Sequence, residues 1–406
     1  MRLLVGALVC MIATGACAQS IRKIDLSQVE GTIGSLADGV VQITTEDATS
    51  EVPVAEVAEI RLTSTAATDL WRRRGGKMLM TTRGDLLDLT FLAFDGEQVT
   101  VTSDLLGTRT IGLSDLHAAY LPNLEQTASG LAGQAEQSGI ATGTKDRLLV
   151  REGDRWLSVE GILEAINFVE GETEPKLTFH WRDESRELEM DRVGAILLAD
   201  APEGDSEDSQ LAGWVLAADG SRLGFTDIAM DETTVTFDAV TFGDAIELPR
   251  EKVVAIEFVS DRVAVLSELT PDAQSTEGMI LDAIEYRVDE AIDGGAITLD
   301  GVSYETGVAI HSRTELTWDI AGEYASFVAV VGIDDAVRPG GDATLELVAD
   351  GNVIETLRLT GKDDATVLRC DLTDVMKFTI RVDFGEDGLE SGDHVDLAMA
   401  RLIKSE

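Results

Sequence analysis

One apolar pattern recurs four times in the first two thirds of the chain and constrains its fold more than any other feature. It reads Val-x-Val-x-x-Val-x-x-Ile-x-Leu over 52–62 and returns, with changes, over 111–116, 188–198 and 246–258. Each copy follows segments in which apolar and polar residues alternate. Such alternation is typical of half-buried strands, and the three-residue steps inside the pattern indicate one tight helical turn between two strands.

Strands that close around a short turn are typical of Sm-like small β-barrels, and this half of the chain weakly resembles a tandem array of them. We predict repeats at 21–62, 77–121, 146–200 and 211–262, with a small, polar linker at 122–145. Barrels of this type serve as adaptors, oligomer-forming rings and RNA sites. Because the chain is acidic and offers no evident aromatic platform for bases, we expect a spacer or interaction array instead of an RNA site.

The charge of the chain narrows its partners. Its 406 residues include 32 basic and 75 acidic side chains, which gives a formal net charge of −43. Nucleic acid and anionic membranes are therefore disfavoured as partners. Of the three cysteines, Cys10 and Cys17 precede the expected mature chain and only Cys370 remains, so no disulfide framework is expected. Cys370 alternates with Leu368 and Leu372, which predicts a buried thiol on a strand face.

The N-terminus has the features of a secretory signal peptide at 1–18. A charged start, an apolar run and small residues follow one another, and cleavage after Ala18 is preferred. Acylation of Cys17 is the alternative, but Thr14 stands three residues before it, where lipoprotein signals usually carry an aliphatic residue. No other apolar run approaches the ~20 residues that span a bilayer. We expect an exported protein, periplasmic or extracellular, that is not transmembrane.

Catalytic motifs are missing from the sequence. It contains no Gly-rich phosphate loop, nucleophile elbow or His-Glu-x-x-His helix. His117 and His180 lie within the repeats without clustered partners, so we expect structural roles for them. Carboxylates are too frequent for an acid/base pair to be selected by spacing. We therefore predict that the protein is not an enzyme.

The C-terminal part shows the alternation of antiparallel sandwich strands. Apolar residues alternate over 316–320, 327–333, 345–347 and 376–384, and Gly-rich turns occur at 338–342 and 349–351. Together with the repeats, this predicts an all-β chain: tandem small β-barrel-like repeats followed by a C-terminal jelly-roll β-sandwich.

Four short sequence motifs follow one another in the C-terminal part of the chain. They are Gly-Val-Ala-Ile-His-Ser at 307–312, Gly-Ile-Asp-Asp at 332–335, Ala-Asp-Gly at 349–351 and Gly-Asp-His-Val-Asp-Leu-Ala at 392–398. With these phrases the region from about Gly278 to Ile403 resembles the carbohydrate-binding module family first noticed in glycoside hydrolase family 98 proteins. The resemblance implies a discoidin-like sandwich, here placed at 272–406, that binds a glycan or polysaccharide through loops at one end.

The resemblance also implies candidate ligand-binding residues. The family's recurrent positions fall on Gly307, His311, Gly332, Asp334, Asp335, Asp350, Gly351, Asp393, His394 and Ala398. The candidate binding set is His311, Asp334, Asp335, Tyr304, Asp393 and His394. The two histidines either contact sugar hydroxyls or are buried pins between loops and sheets, and the second role is favoured. Asp334 and Asp335 are candidate calcium ligands, with loop capping as the alternative.

The sequence departs from the family in its aromatic residues. Many members carry tryptophan at the position of Leu397, so a surface or packing aromatic is lost. Strand parity places Trp318, Phe327, Phe378 and Phe384 in the core. Sugar sites usually combine the face of an aromatic ring with polar hydrogen-bonding groups. With the other aromatic residues in the core, only Tyr304 and Tyr324 are available to offer such a ring face to a sugar.

These observations favour a secreted, non-catalytic carbohydrate-binding protein whose repeats display or tether the sandwich. The alternative is a structural or protein-interaction component of the cell envelope that uses a lectin-like scaffold without sugar affinity. An enzyme in the N-terminal half is a weaker third hypothesis, because that half shows repeats instead of a catalytic constellation.

Overall fold

The computed structural model describes residues 19–63, 78–94, 97–121, 145–153, 155–167, 176–199, 211–278 and 283–405. The predicted signal peptide and nearly all of the predicted linker at 122–145 lie outside these ranges. The chain divides into two compact units. Unit 1 comprises Met1–Ile21 and Val29–Phe258, and unit 2 comprises Arg22–Gln28 and Val259–Glu406. Within the described ranges, no helix is long and apolar enough to cross a membrane.

Unit 1 consists of antiparallel strands and short turns. Its strands are β1 (Gln19–Lys23), β2 (Gln28–Ala37), β3 (Val40–Thr44), β4 (Thr49–Pro53), β5 (Val57–Arg61), β6 (Met78–Thr81), β7 (Leu86–Asp88), β8 (Thr90–Phe94), β9 (Gln98–Ser103), β10 (Gly107–Gly112), β11 (Leu116–Tyr120), β12 (Asp146–Glu152), β13 (Arg155–Asn167), β14 (Lys176–Trp181), β15 (Glu184–Glu189), β16 (Val193–Leu197), β17 (Gly213–Ala217), β18 (Arg222–Met230), β19 (Thr234–Ala239), β20 (Ala245–Pro249) and β21 (Val253–Phe258). β1 begins in unit 1, and its last two residues belong to unit 2.

The tight turn predicted inside each repeat is confirmed at all four positions. Single 3-10 turns at Val54–Glu56, Leu113–Asp115, Met190–Arg192 and Arg250–Lys252 separate the last two strands of the repeats. In each, the N–H of the residue after the turn donates to the carbonyl of the first turn residue. The apolar three-residue steps of the sequence therefore mark a sharp corner between strands.

Each repeat returns on itself. In the fourth repeat, β17 pairs with both β18 and β21, and β21 continues β20 beyond the 3-10 turn. β12 pairs in the same way with β13 and β16, and β1 with β2 and β5. In the second repeat β6 pairs with β7 and β11, while β8, β9 and β10 form a separate sheet. Five successive strands in the first, third and fourth repeats, and six in the second, thus form one unit whose first and last strands meet.

The last strands also join one repeat to another. β5 pairs with β21, where Ile60 lies opposite Ile256, and β11 pairs with β16, where Ala119 lies opposite Ile196. The first repeat therefore pairs with the fourth, and the second with the third. Buried aliphatic and phenylalanine side chains from all four repeats form one hydrophobic cluster. Unit 1 is consequently a single packed body.

Unit 2 is a two-sheet sandwich. Its strands are β22 (Val263–Val265), β23 (Ala273–Thr276), β24 (Arg287–Val288), β25 (Ile297–Leu299), β26 (Val302–Tyr304), β27 (Gly307–His311), β28 (Thr314–Asp319), β29 (Tyr324–Ile333), β30 (Asp342–Ala349), β31 (Asn352–Thr360), β32 (Thr366–Asp371), β33 (Lys377–Phe384) and β34 (His394–Lys404). A further 3-10 turn, Leu266–Glu268, follows β22. One sheet has the order β24-β27-β34-β29-β32, with β22 beside β34, and the other the order β23-β28-β33-β30-β31.

The core of unit 2 lies between these sheets. Trp318, Phe327 and Phe378 are 3%, 0% and 0% exposed, which confirms their predicted positions. The prediction that Phe384 lies in the core is wrong. Phe384 is the last residue of β33 and remains half-exposed. Leu397 is fully buried in the same core, so the position that carries tryptophan in many family members is a packing position here.

The sandwich begins before residue 272, where the sequence placed its start. β22 pairs with β34, and Leu266 is fully buried in the core between the sheets. The indole N–H of Trp318 donates to the carbonyl oxygen of Leu269 at 3.0 Å. Residues 22–28 also belong to this unit, and Arg369 Nε donates to the carbonyl oxygen of Asp25 at 3.0 Å. Unit 2 is therefore assembled from two stretches of the chain.

Candidate functional site

Two histidines meet at one end of the first sheet. β27 ends at His311 and β34 begins at His394, and the two residues lie directly opposite each other in the strand pair. Their ring centroids are 5.7 Å apart at an interplanar angle of 62°. The residues are 5% and 8% exposed. This burial favours the predicted pinning role over direct contact with a ligand.

Strand alternation explains why polar residues are buried here. On β34, Val395 and Leu397 point into the core between the sheets, so His394 and Asp396 share the other face of their sheet. The β25–β26 hairpin packs on that face, where Ile297 and Leu299 form a cluster with Ala398. In an open sheet such polar side chains usually face water. Here the hairpin covers them, so each of them requires a hydrogen-bonding partner.

His394 lies between this buried region and the surface. Its Nδ1 is 3.7 Å from Oδ2 of Asp293, whose side chain is 67% exposed. Burial lowers the pKa of His394, and the neighbouring His311 adds to this effect, whereas Asp293 and Asp334 oppose it. Nδ1 of His311 lies 3.3 Å from the carbonyl oxygen of Ser312. The imidazole of His394 is therefore neutral at neutral pH, with an exposed carboxylate beside it.

Asp396 is the most strongly perturbed acid of this region. It is fully buried, and burial, followed by the adjacent Asp334 and then Asp335, raises its pKa to about 9. No donor lies in hydrogen-bonding position for either of its oxygens among the described residues. Asp396 therefore carries a proton at neutral pH, and the Asp334 carboxylate is the acceptor beside it.

Asp334 and Asp335 cap a loop. Oδ1 and Oδ2 of Asp334 accept the N–H groups of Ala336 and Thr298 at 2.8 and 3.3 Å. The two oxygens of Asp335 accept the N–H groups of Asp300 and Gly301 at 3.1 and 2.7 Å. Each of the four carboxylate oxygens thus accepts one backbone N–H, which is the loop-capping arrangement. In the part of the chain that is described, no three His, Cys, Asp or Glu side chains are arranged to hold a metal ion.

Asp393 lies in a glycine-rich corner. Its Oδ1 accepts the N–H of Asp342 at 3.0 Å, and burial raises its pKa to about 6. Gly341 has a φ of +83°, and a Cβ on it would lie 2.4 Å from the carbonyl oxygen of Gly392. Only glycine fits there, so the turn after β29 and the start of β34 can approach closely. Asp393 is thus a buried anchor for that approach.

Tyr304 is separate from this corner. It ends β26 opposite Ile297, and it is half-buried against the hairpin cluster that contains Leu299. Part of its ring is therefore used in packing.

The structure brings the two histidines, Asp334 and Asp393 to one end of unit 2. Sequence reasoning missed three contributors, namely Asp293, Asp342 and Asp396. Only Asp396 carried a signal, because it alternates with His394 inside a family-like phrase.

Unit 2 is thus a two-sheet β-sandwich with a polar loop end. Residues 262–403 match the family model described as the NPCBM/NEW2 domain. The residue phrases at 307–312 and 392–398 lie within the matched region.

The similar proteins and solved structures match only part of this chain. The curated protein "Putative endo-alpha-N-acetylgalactosaminidase" of Renibacterium salmoninarum is 33% identical over 64 residues, which are 16% of this chain and 4% of that protein. A CBM51 module from Clostridium perfringens GH95, solved with methyl-galactose, shows 26% identity and a TM-score of 0.31, over 34% of this chain and 99% of that one. The tandem CBM51 modules of Streptococcus pneumoniae Sp3GH98 show 13% identity and a TM-score of 0.31, over 67% and 91%.

Proposed function

We propose that the protein is an exported, non-catalytic carbohydrate-binding protein. Unit 2 binds a glycan through the loops at its histidine end, and the repeats of unit 1 act as a spacer or interaction array. The observation that carries this proposal is the match of 262–403 to the NPCBM/NEW2 family, which nearly coincides with unit 2.

The geometry supports the loop end as the binding surface. Asp293 is exposed and adjacent to His394, and carboxylate oxygens accept strong hydrogen bonds from hydroxyl groups. The buried histidines and Asp393 hold the loops in place beneath that surface, which limits the entropy lost when a ligand binds. The histidines are thus supports, and the exposed carboxylate makes the contact.

A glycan array and polysaccharide pull-down with the chain from Gln19 test this function. We expect retention of at least one neutral glycan. Asp293→Asn should weaken binding about three- to tenfold, because a charge-assisted hydrogen bond becomes a neutral one. Glu355→Gln, an exposed substitution on β31, is the matched control and should bind like the wild type. If no glycan is retained while a protein partner co-purifies, the envelope-interaction alternative replaces this function.

Export has its own test. Mass spectrometry of the chain recovered outside the cytoplasm should give a mass that begins at Gln19. A lipid-modified Cys17 would instead make the protein a membrane-anchored lipoprotein.

A further inference from the structure

Asp293 differs from the other acids of its loop in its partners. The loop between β24 and β25 carries three acids at 289–296. Asp289 Oδ1 accepts a backbone N–H of β27 at 2.9 Å, and Glu290 pairs with Arg287 at 2.8 Å. Among the described residues, the exposed carboxylate of Asp293 has His394 as its one polar neighbour.

The spacing of Asp293 and His394 is that of a pair which a proton completes. Oδ2 of Asp293 lies 3.7 Å from Nδ1 of His394. This distance is too long for a hydrogen bond to a neutral ring, but it is short enough for an ion pair. While the ring is neutral, the carboxylate is therefore free to accept the hydroxyl groups of a glycan. Once the ring is protonated, the ring and the glycan compete for the same acceptor.

The groups that face His394 set the pH at which it gains a proton. His311 faces it from β27 with the ring centroids 5.7 Å apart, and Asp334 faces it from the turn after β29. Asp396, on the same face of β34, carries its own proton and adds no charge. Burial lowers the pKa of His394 below its ordinary value of 6.5; Asp293 opposes this, His311 adds to it and Asp334 opposes it. The ring consequently takes up its proton in mild acid.

The other charged groups near this end have partners of their own. Arg338 contacts the carboxylates of Asp300, in the β25–β26 hairpin, and of Asp335, in the turn after β29. Asp393, whose pKa is about 6, also titrates in mild acid. It lies on the other face of β34, where its Oδ1 accepts the N–H of Asp342. A test of His394 must therefore be specific for Asp293.

We infer that His394 is a proton-controlled competitor for Asp293, so that this end of unit 2 binds a glycan less tightly in mild acid than at neutral pH. The inference rests on the proposed function and adds regulation to the same site. An exposed ion pair is weak, so the affinity should fall only about two- to fivefold between about pH 7.5 and about pH 5. Because such coupling is reciprocal, a bound glycan should lower the pKa of His394 to the same extent.

Calorimetric titration of the chain from Gln19 tests the inference at these two pH values and constant ionic strength, with the neutral glycan that the array retains most tightly. The wild type should show the two- to fivefold loss in acid. Asp293→Asn should bind equally at both pH values, because an amide is not attracted to the protonated ring. His180→Asn is the matched control. His180 also lies beside a carboxylate, with its Nδ1 3.6 Å from Oε1 of Glu164, and its replacement should keep the pH dependence of the wild type.

NMR titration of the assigned imidazole resonances follows the proton itself. Asp293→Asn and a saturating amount of the glycan should each lower the pH at which His394 titrates. An unchanged titration of His394 in Asp293→Asn would overturn the inference, and so would an equal loss of affinity in acid for Asp293→Asn and the wild type. Binding that is equal at both pH values in the wild type would overturn the inference and leave the proposed function standing, whereas retention of no glycan at either pH would overturn both.

Discussion

The stability advantage of Asp396→Asn over the wild type should grow as the pH rises. The folded protein holds a proton on Asp396, whose pKa is about 9, whereas in the unfolded chain this carboxyl ionises near its ordinary value of about 3.9. A carboxyl whose pKa is higher in the folded protein than in the unfolded chain contributes stability that is fully present below the pKa of the unfolded chain. That stability is lost as the pH rises toward the folded value.

The size of the effect follows from the pH interval. Each pH unit between the two values costs the wild type about 1.4 kcal/mol, so about 4 kcal/mol is the upper limit between about pH 5 and about pH 8. Asn has nearly the same shape and can donate to Asp334 in place of the carboxyl proton, but it does not titrate. The stability of the variant relative to the wild type should therefore rise by up to about 4 kcal/mol between about pH 5 and about pH 8.

Hydrogen exchange read by mass spectrometry measures this difference locally. Peptides that span β34 report the opening free energy of unit 2, after correction for the intrinsic exchange rate at each pH. Glu355→Gln serves as the control for an exposed substitution that lies outside the buried corner. Parallel curves for the wild type and Asp396→Asn across the pH range would refute the assignment of a buried proton to Asp396.

Three further outcomes follow from the packing of unit 2. His394→Ala should lower the free energy of unfolding by about 1–3 kcal/mol, because it removes a buried ring that packs edge-on against His311, and wild-type stability in thermal melts would contradict a pinning role. Leu397→Ala should cost about 2–5 kcal/mol through the cavity that it leaves, again measured by melting; a smaller loss would indicate that the sheets collapse into the space. Burial raises the pKa of Cys370 to about 12, so a maleimide should label it slowly in the native protein and rapidly in denaturant, and equal rates would show that the thiol is exposed.

The sequence predicted the local geometry of unit 1 well, because that geometry follows from residue spacing. Steps of three residues through Val57 and Val253 gave the corner between two strands, where the structure has a 3-10 turn. The pairing of β5 with β21 could not be predicted. Both strands are short and apolar, and no local feature specifies which of several similar strands each one joins.

In unit 2 the sequence indicated the strands but not all of the buried polar groups. Four of its strands were predicted from alternation, and the histidines from the family-like phrases. Asp396 was missed because a carboxylate on a strand face is ordinarily solvated. Its burial depends on the hairpin that contains Ile297, a segment distant in sequence. The start of the sandwich was placed too late, since β22 is only three residues long and its role becomes clear only when it pairs with β34.

The pairing of the repeats has a consequence for how the chain matures. The second and third repeats are neighbours in sequence, whereas β5 meets β21 about 200 residues later. During synthesis from the N-terminus, the inner pair can form first, and the first repeat must wait with its last strand exposed until the fourth is made. An unpaired strand edge is a template for wrong partners. Slow synthesis of the fourth repeat should therefore produce aggregates, and truncation before β21 should do so more strongly than truncation after it.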